Sequence, residues 1–251
     1  MLRPFSFSHA SLFAVLCSVT ALAGAGSAHA TKKVRNPYVT QGELEVEWKG
    51  GVTHDDEDDG QDGAWEQKAA VAYGVTEWVQ VEIEGEVEKD GDSDDAAFTA
   101  LALETKILVT EQGEYWADAG VFLEFEKDLQ GGADKVEGKL LLAKDTGKLS
   151  HLANIILERE VGEDSGDETE LGLAWSSRYR YHESFEPGIE IHSNFGGIGE
   201  GEGFDEQDHR IGPVVYGKIG YFKYDVGYLV GVSDDAPDGT VKAILEYEWY
   251  F

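Results

Sequence analysis

The last twelve residues of the chain, Thr240 to Phe251, constrain its fold more than any other stretch. Side chains in a β-strand alternate between two faces, and in this segment one face is apolar throughout. The apolar face carries Val241, Ala243, Leu245, Tyr247, Trp249 and Phe251. A soluble protein gains little from ending on a strand with an aromatic outer edge, whereas a bilayer favours aromatic rings at its interface and an apolar face against its hydrocarbon. The segment therefore predicts a membrane-crossing strand.

The terminal aromatic residues Tyr247, Trp249 and Phe251 resemble the C-terminal assembly signal of Gram-negative outer-membrane β-barrel proteins. This resemblance implies an all-β fold, namely a transmembrane antiparallel up-and-down β-barrel in the outer membrane. It also implies partners: the barrel assembly machinery, which would bind the C-terminal strand, and the surrounding lipid and lipopolysaccharide.

The first thirty residues are typical of a cleaved export signal. Arg3 provides a positive start, residues 12–22 are apolar, and Ala28-His29-Ala30 has the small-x-small pattern of a cleavage site. The apolar run is too short for a membrane helix, which needs about 20 residues. We therefore expect a signal peptide at 1–30 and a single barrel domain at 31–251.

Charge and cysteine content exclude several classes of function. Asp and Glu number 50 against 20 Lys and Arg, so the net charge is −30, which argues against nucleic acid as a partner. The only cysteine, Cys17, lies in the expected signal peptide, so the remaining chain has no disulfide or thiolate site. After Thr31 no apolar run is long enough for a transmembrane helix. We expect no cofactor.

Alternating runs recur from Gln41 to the C-terminus and predict about twelve strands. The expected strands lie near 43–48, 65–75, 79–88, 97–109, 115–126, 135–144, 150–161, 168–179, 185–196, 208–218, 222–232 and 240–251. Long acidic connections are expected near 54–63, 89–96, 127–134, 162–167, 197–207 and 233–239. Short connections are expected near 76–77, 110–114, 145–149, 180–184 and 219–221. This alternation is typical of outer-membrane barrels with both termini in the periplasm.

A secreted β-sandwich or a lipocalin-like barrel would also show alternating strands, with the apolar face forming a core instead of meeting lipid. The aromatic terminus, the alternation of connection lengths and the aromatic residues near strand ends favour the membrane barrel. Those strand-end aromatics are Trp65, Trp78, Tyr115, Trp175, Tyr179, Phe185, Phe195, Phe222 and Trp249.

A second resemblance lies in the middle of the chain. Residues 177–190 (SRYRYHESFEPGIE), together with 209–213 (HRIGP), are similar to small porin-like outer-membrane barrels, some of them grouped with a phenol meta-pathway transporter family. The resemblance supports the fold and implies no role for any single residue.

If the apolar faces meet lipid, the opposite faces line the barrel interior. The predicted pore-lining residues are Glu43, Glu45, Glu47, Lys68, Glu82, Glu84, Glu86, Lys106, Arg178, Glu190, Glu246 and Glu248. Burying an unpaired carboxylate costs several kcal/mol. Therefore either water fills the lumen, or the basic side chains lie between the acidic ones and form an ion-pair network.

Two functions follow from this interior. The favoured one is a small, cation-preferring pore for passive passage of small solutes or ions, because rings of acidic side chains attract cations. The strongest acidic ladder is Glu82, Glu84 and Glu86, which is expected to face the Glu43 to Glu47 ladder if the barrel closes through neighbouring strands. The alternative is a closed-lumen structural or partner-binding barrel without transport.

Enzymatic activity is not expected. In the sequence His192-Ser193-Asn194 the serine would point away from its neighbours, because adjacent strand residues face opposite sides. His182 and Ser184 fall in a predicted turn, and the sequence offers no third group to orient either histidine.

No metal site is assigned either. The run of aspartates from Asp90 to Asp95 lacks the glycine and the final glutamate of an EF-hand loop. The run Asp55 to Asp59 has oxygen ligands that suit calcium or magnesium, and weak binding of divalent cations by these loops is left open.

Overall fold

The computed structural model describes residues 33–55, 61–91, 95–163, 165–199 and 201–251. The expected signal peptide therefore lies outside the described residues. Within them the chain forms twelve strands and one short 3-10 helix, Phe204–Glu206. The strands are β1 Glu43–His54, β2 Trp65–Gly74, β3 Val79–Lys89, β4 Ala97–Leu108, β5 Asp118–Asp128, β6 Asp134–Thr146, β7 Leu149–Val161, β8 Glu170–Tyr179, β9 Glu186–Gly197, β10 Asp208–Ile219, β11 Phe222–Gly231 and β12 Gly239–Tyr250.

Each strand pairs antiparallel with its neighbours in sequence, and β12 returns to pair with β1. The closing pair runs from Glu43 opposite Tyr250 to His54 opposite Gly239. Closure removes exposed strand edges, whose unpaired backbone groups could not be satisfied in hydrocarbon. The predicted all-β, twelve-stranded up-and-down barrel is confirmed. No helix in the described part of the chain is long and apolar enough to span a bilayer.

The two faces of the barrel wall are arranged as a membrane barrel requires. On β3, Ile83 is 59% exposed on the outside, whereas the neighbouring Glu82 and Glu84 are 5% and 3% exposed inside. A soluble β protein would bury the isoleucine and expose the glutamates. The barrel thus carries an apolar outer surface around a polar, charged interior.

The connections differ in length between the two ends. We call the end where β1 begins and β12 finishes the terminal end, and the end where β1 finishes and β2 begins the loop end. The tightest connections, residues 147–148 and 220–221, lie at the terminal end. Gly147 and Gly220 take positive φ angles of 61° and 64° there, which two-residue hairpins commonly need.

Three expected connections are wrong in length by three or four residues. Between β6 and β7 the connection is residues 147–148 instead of 145–149. Strand β5 begins at Asp118, not at 115, so Tyr115 lies in an exposed connection, residues 109–117. Asp118 Oδ1 accepts a 2.6 Å hydrogen bond from the backbone N–H of Gly113, which folds this segment into turns. At the loop end, β5 and β6 extend so far that only residues 129–133 connect them. Strand pairing here overrides the loop-like composition.

Before β1 the chain lies inside the barrel. We call residues 33–38 the inner segment. It leaves the lumen through Gly42, whose φ of 78° turns the chain into β1. A Cβ atom at Gly42 would lie 2.8 Å from the backbone oxygen of Phe251, so a glycine suits this turn. The sequence pattern predicts no structure for this segment.

Candidate functional site

The acidic ladders of β1 and β3 meet inside the barrel, although they are not on paired strands. Strand β2 lies between β1 and β3, and the two ladders meet across it. Ala70 of β2 stands in register with Glu47 on one side and Glu84 on the other. Because the alanine side chain is small, it does not fill the lumen between these two glutamates. Carboxylate oxygens of Glu47, Glu82 and Glu84 consequently lie within 4.8 Å of one another.

Lysines cross-link these carboxylates. The Lys49 ammonium contacts Glu84 and lies 3.3 Å from Glu47. The Lys68 ammonium contacts Glu86 and lies 3.3 Å from Glu66. Of the two arrangements considered for the lumen, the structure therefore has the ion-pair network in this region.

Lys33 of the inner segment gathers three of the predicted lumen carboxylates. Its ammonium contacts Glu47, lies 2.6 Å from Glu246 and lies 3.8 Å from Glu45. Burial alone would lower the pKa of Lys33, but the negative charges of Glu246, Glu47 and Glu45 outweigh it and raise this pKa well above its ordinary value. Lys33 therefore stays charged.

Arg35 occupies a neighbouring acidic position. Its Nη2 donates a 2.6 Å hydrogen bond to Glu104, and its Nη1 lies 3.4 Å from Glu82. The guanidinium carbon lies 4.3 Å from the centre of the Phe122 ring, a favourable cation–π distance. The inner segment thus presents two positive side chains, two residues apart, to two groups of glutamates.

The backbone of the inner segment is also fixed. Asn154, which is fully buried on β7, accepts a 2.7 Å hydrogen bond from the Arg35 N–H and donates a 2.8 Å bond to the Arg35 carbonyl. Val34 packs against Ile156 and Ala174. Beyond Arg35, the Tyr38 hydroxyl donates to Asp118 at 2.8 Å. These contacts give the segment one defined position in the lumen.

Cavities lie on both sides of the inner segment. A cavity of about 100 Å³ towards the loop end is lined by Lys33 and Arg35 together with strand-end residues such as Glu66 and Glu88. A cavity of about 250 Å³ towards the terminal end is lined by the same two residues and by Glu43 and Tyr250, among others. A third cavity, of about 300 Å³, also borders the inner segment. The inner segment therefore lies between cavities towards both ends of the lumen.

The loop-end cavity of about 100 Å³ and the terminal-end cavity of about 250 Å³ differ in charge. Nine glutamates and six bases line the loop-end cavity, so acids are in excess there. Four glutamates and five bases line the terminal-end cavity. Lys33 and Arg35 belong to both sets. Without them the loop-end cavity would have nine acids against four bases, and the terminal-end cavity four against three.

The remaining predicted lumen residues lie on the same inner surface. Lys106 lines the terminal-end cavity together with Glu43 and Glu45. The Glu248 carboxylate accepts a 2.9 Å hydrogen bond from Lys218 and also contacts Lys223.

Glu190 and Arg178 belong to a second group across the barrel. Glu190 is 2.7 Å from the fully buried Lys242 ammonium and accepts a 2.6 Å bond from the Tyr216 hydroxyl. Arg178 lies 3.4 Å from Glu186, and its guanidinium carbon lies 5.6 Å from the Tyr216 ring centre. The structure places all twelve predicted residues inside the barrel, while their role as pore lining stays a prediction.

The three residues of the predicted assembly signal are on the outside. The rings of Tyr247 and Trp249 lie 4.4 Å apart, and Phe251 is 87% exposed. The backbone N–H of Phe251 donates a 3.0 Å hydrogen bond to Gly42, which ties the C-terminus to the start of β1.

The expectation that no group orients the histidines is wrong for His192. Its Nε2 lies 2.8 Å from Glu190 Oε2 inside the barrel. His182 Nδ1 lies 2.9 Å from Ser184 Oγ, in an exposed turn at the terminal end. Ser193, however, points to the opposite face of β9 from His192, as expected from strand geometry.

Among the described residues, two clusters of three glutamates in the lumen have carboxylate oxygens with the spacing of a metal site. The first cluster is Glu45, Glu47 and Glu246, and the second is Glu47, Glu82 and Glu84. The sequence pattern predicts no metal site there, because these residues come from distant strands. Of the acidic runs in the loops, residues 56–59 and 92–94 lie outside the described residues.

The inner segment is the part of the site that sequence analysis missed. Its only available signal was the run of basic residues just after the expected cleavage site, Lys32, Lys33 and Arg35, in a chain that is otherwise strongly acidic.

Comparison with solved structures supports the same architecture. The chain is similar to an outer-membrane channel from Pseudomonas putida F1, with a TM-score of 0.56, 11% sequence identity, and coverage of 90% of this chain and 99% of that one. It is also similar to the NanC porin, with a TM-score of 0.57, 8% identity, and coverage of 82% and 99%. At such identities the similarity establishes the fold only.

The closed barrel, its apolar outer surface and these similarities together give the chain the fold of an outer-membrane β-barrel protein. No protein-family model matches the sequence, and no curated protein matches it.

Proposed function

We propose that this protein is a narrow outer-membrane channel that passes small cations, with both termini in the periplasm and the inner segment restricting its lumen. The observation that carries the proposal is the excess of glutamates lining the loop-end cavity. An acidic pore concentrates cations and repels anions, because low-dielectric walls focus the field of the charges. The similar structures are described as a channel and a porin, which supports transport over catalysis.

Lipid and lipopolysaccharide would surround the outer face, and the assembly machinery would bind the C-terminal strand. Both follow from the exposed apolar surface and the aromatic terminus, which suit an environment of hydrocarbon and headgroups.

The test is a reversal potential across a planar bilayer under a salt gradient. Wild-type protein should prefer cations, and changing Glu82, Glu84 and Glu86 to Gln should reduce that preference. Screening should also weaken it, because the Debye length falls from about 10 Å at 0.1 M to about 3 Å at 1 M salt. The control changes three exposed glutamates of the terminal-end connections to Gln: Glu77, Glu111 and Glu114. Anion preference in wild-type protein would contradict the proposal.

The second candidate is a closed-lumen barrel without transport. The ion pairs of Lys49 and Lys68 and the anchored inner segment favour it, since they fill much of the interior. Absence of current steps from folded, heat-modifiable barrel would support this candidate and exclude the channel.

A further inference from the structure

The Lys33 ammonium of the inner segment is held by carboxylates of the barrel wall. Three carboxylates from two neighbouring strands surround the ammonium of Lys33: Glu45 and Glu47 of β1, and Glu246 of β12. Lys33 itself belongs to the inner segment and not to a strand of the wall. The Lys33 side chain is thus an alkylammonium ion bound to three carboxylates. Its only covalent link to that site is the chain from residue 34 to β1.

We propose that Glu45, Glu47 and Glu246, with Glu82 and Glu104 beside them, bind linear aliphatic diamines that compete with the inner segment. This inference rests on the proposed channel and names the solute class that its lumen would admit. One ammonium group of the diamine would take the place of Lys33, and the other would take the place of the Arg35 guanidinium.

Nitrogen cations occupy both positions in the structure. The nitrogen–oxygen distances from Lys33 to Glu246 and Glu45 are 2.6 and 3.8 Å, and those from Arg35 to Glu104 and Glu82 are 2.6 and 3.4 Å. These distances span the range of charged hydrogen bonds and ion pairs. The three carboxylates around Lys33 also have the spacing of a metal site, so a divalent cation is the competing occupant that the experiment must exclude.

Unused acceptors point to the same chemistry. Glu82 Oε1 and Glu104 Oε1 are buried and accept no hydrogen bond within the described residues. An ammonium group has three N–H donors. A diamine that enters beside these oxygens would therefore gain hydrogen bonds that the Arg35 guanidinium does not make.

Competition sets the expected affinities. In wild-type protein a diamine must displace a segment that is held by Lys33, Arg35 and Asn154, so its apparent affinity is reduced by the fraction of time that the site is covered. Replacing Lys33 with Gln removes the competing ammonium and leaves the three carboxylates in place.

The experiment is isothermal titration calorimetry of the full, detergent-solubilised barrel with 1,5-diaminopentane. We expect Lys33→Gln to bind the diamine about tenfold more tightly than wild-type protein. Adding Glu246→Gln to that variant should weaken binding about tenfold, since one of three carboxylates is lost. Lys127→Gln is the matched control, because Lys127 forms an exposed ion pair with Asp134 and does not touch the inner segment.

Equal affinity of wild-type and Lys33→Gln protein for the diamine would overturn the proposal, as would equal binding of the uncharged 1,5-pentanediol. Stronger heat from magnesium chloride than from the diamine would show a metal site instead. Calorimetry needs no ionic current, so a channel that proves silent leaves this test intact.

A second measurement uses wild-type protein alone, in case Lys33→Gln does not fold. Chymotrypsin should cleave after Tyr38 faster when 1,5-diaminopentane displaces the inner segment, and 1,5-pentanediol or sodium chloride at matched ionic strength should have no such effect. Unchanged cleavage at saturating diamine would overturn the proposal.

Discussion

The link between Asn154 and the inner segment gives the sharpest test of lumen occlusion. Asn154→Ala removes two hydrogen bonds to the Arg35 backbone, one accepted at 2.7 Å and one donated at 2.8 Å. Each neutral hydrogen bond contributes about 0.5–1.5 kcal/mol net, so the segment should lose about 1–3 kcal/mol of its preference for the bound position. At about 1.4 kcal/mol per factor of ten, its unbound population should rise by about 5- to 150-fold.

The assay is single-channel recording in a planar bilayer. Asn154→Ala should show larger conductance steps, or a larger fraction of time in a high-conductance state, because the segment leaves the lumen more often. Asn194→Ala is the matched control, since Asn194 donates a 2.8 Å bond to Glu170 and makes no hydrogen bond to the inner segment. If a folded Asn154→Ala barrel has the same conductance steps and the same fraction of time in the high-conductance state as wild-type protein, the inner segment does not restrict the lumen.

Three further perturbations test the wall and its assembly. Ile83→Arg on the lipid face should destabilise the folded barrel by about 2–4 kcal/mol if the residue lies near the bilayer midplane, as measured by urea unfolding in lipid vesicles; no loss of stability would contradict the assigned faces. Lys242→Ala should cost about 3–5 kcal/mol in the same assay, because the buried carboxylates of Glu190 and Asp225 lose their ammonium partner, and adding Glu190→Gln should restore part of that loss. Phe251→Ser should reduce folded, heat-modifiable barrel in the outer membrane while export continues, and wild-type levels would count against the assembly signal.

The sequence predicts the wall of this barrel well, because alternation is a local property. Val81 to Glu86 can be assigned to two faces without knowing any partner strand. Strand ends are harder, since Tyr115 and Trp116 have strong strand propensity yet lie outside β5. Their position is decided by turns around Gly113 and by pairing with β4, which no local pattern records.

Local sequence patterns do not predict the side-chain contacts in the barrel interior, for a different reason. Lys33 meets Glu246 only because β12 closes on β1, and Glu47 meets Glu84 only because Ala70 separates them in register. These contacts depend on the register of three or more strands at once. The sequence could indicate an ion-pair network as one solution for a crowded acidic lumen, but it could not assign its pairs. The inner segment has no periodicity, so nothing in its pattern placed it inside.

Occlusion and charge selectivity are linked in this barrel through the same two side chains. While the inner segment is bound, Lys33 and Arg35 supply two of the six positive charges around the loop-end cavity and two of the five around the terminal-end cavity. If the segment leaves, the lumen widens, the loop-end cavity becomes more acidic and the terminal-end cavity changes from a net excess of bases to a net excess of acids. On the proposed function, high-conductance openings should therefore be more cation-selective than low-conductance ones in a single recording. A channel restricted by an uncharged segment would change its conductance without changing its selectivity in this way. Equal reversal potentials for the two conductance levels would thus show that the inner segment does not affect the selectivity of the pore.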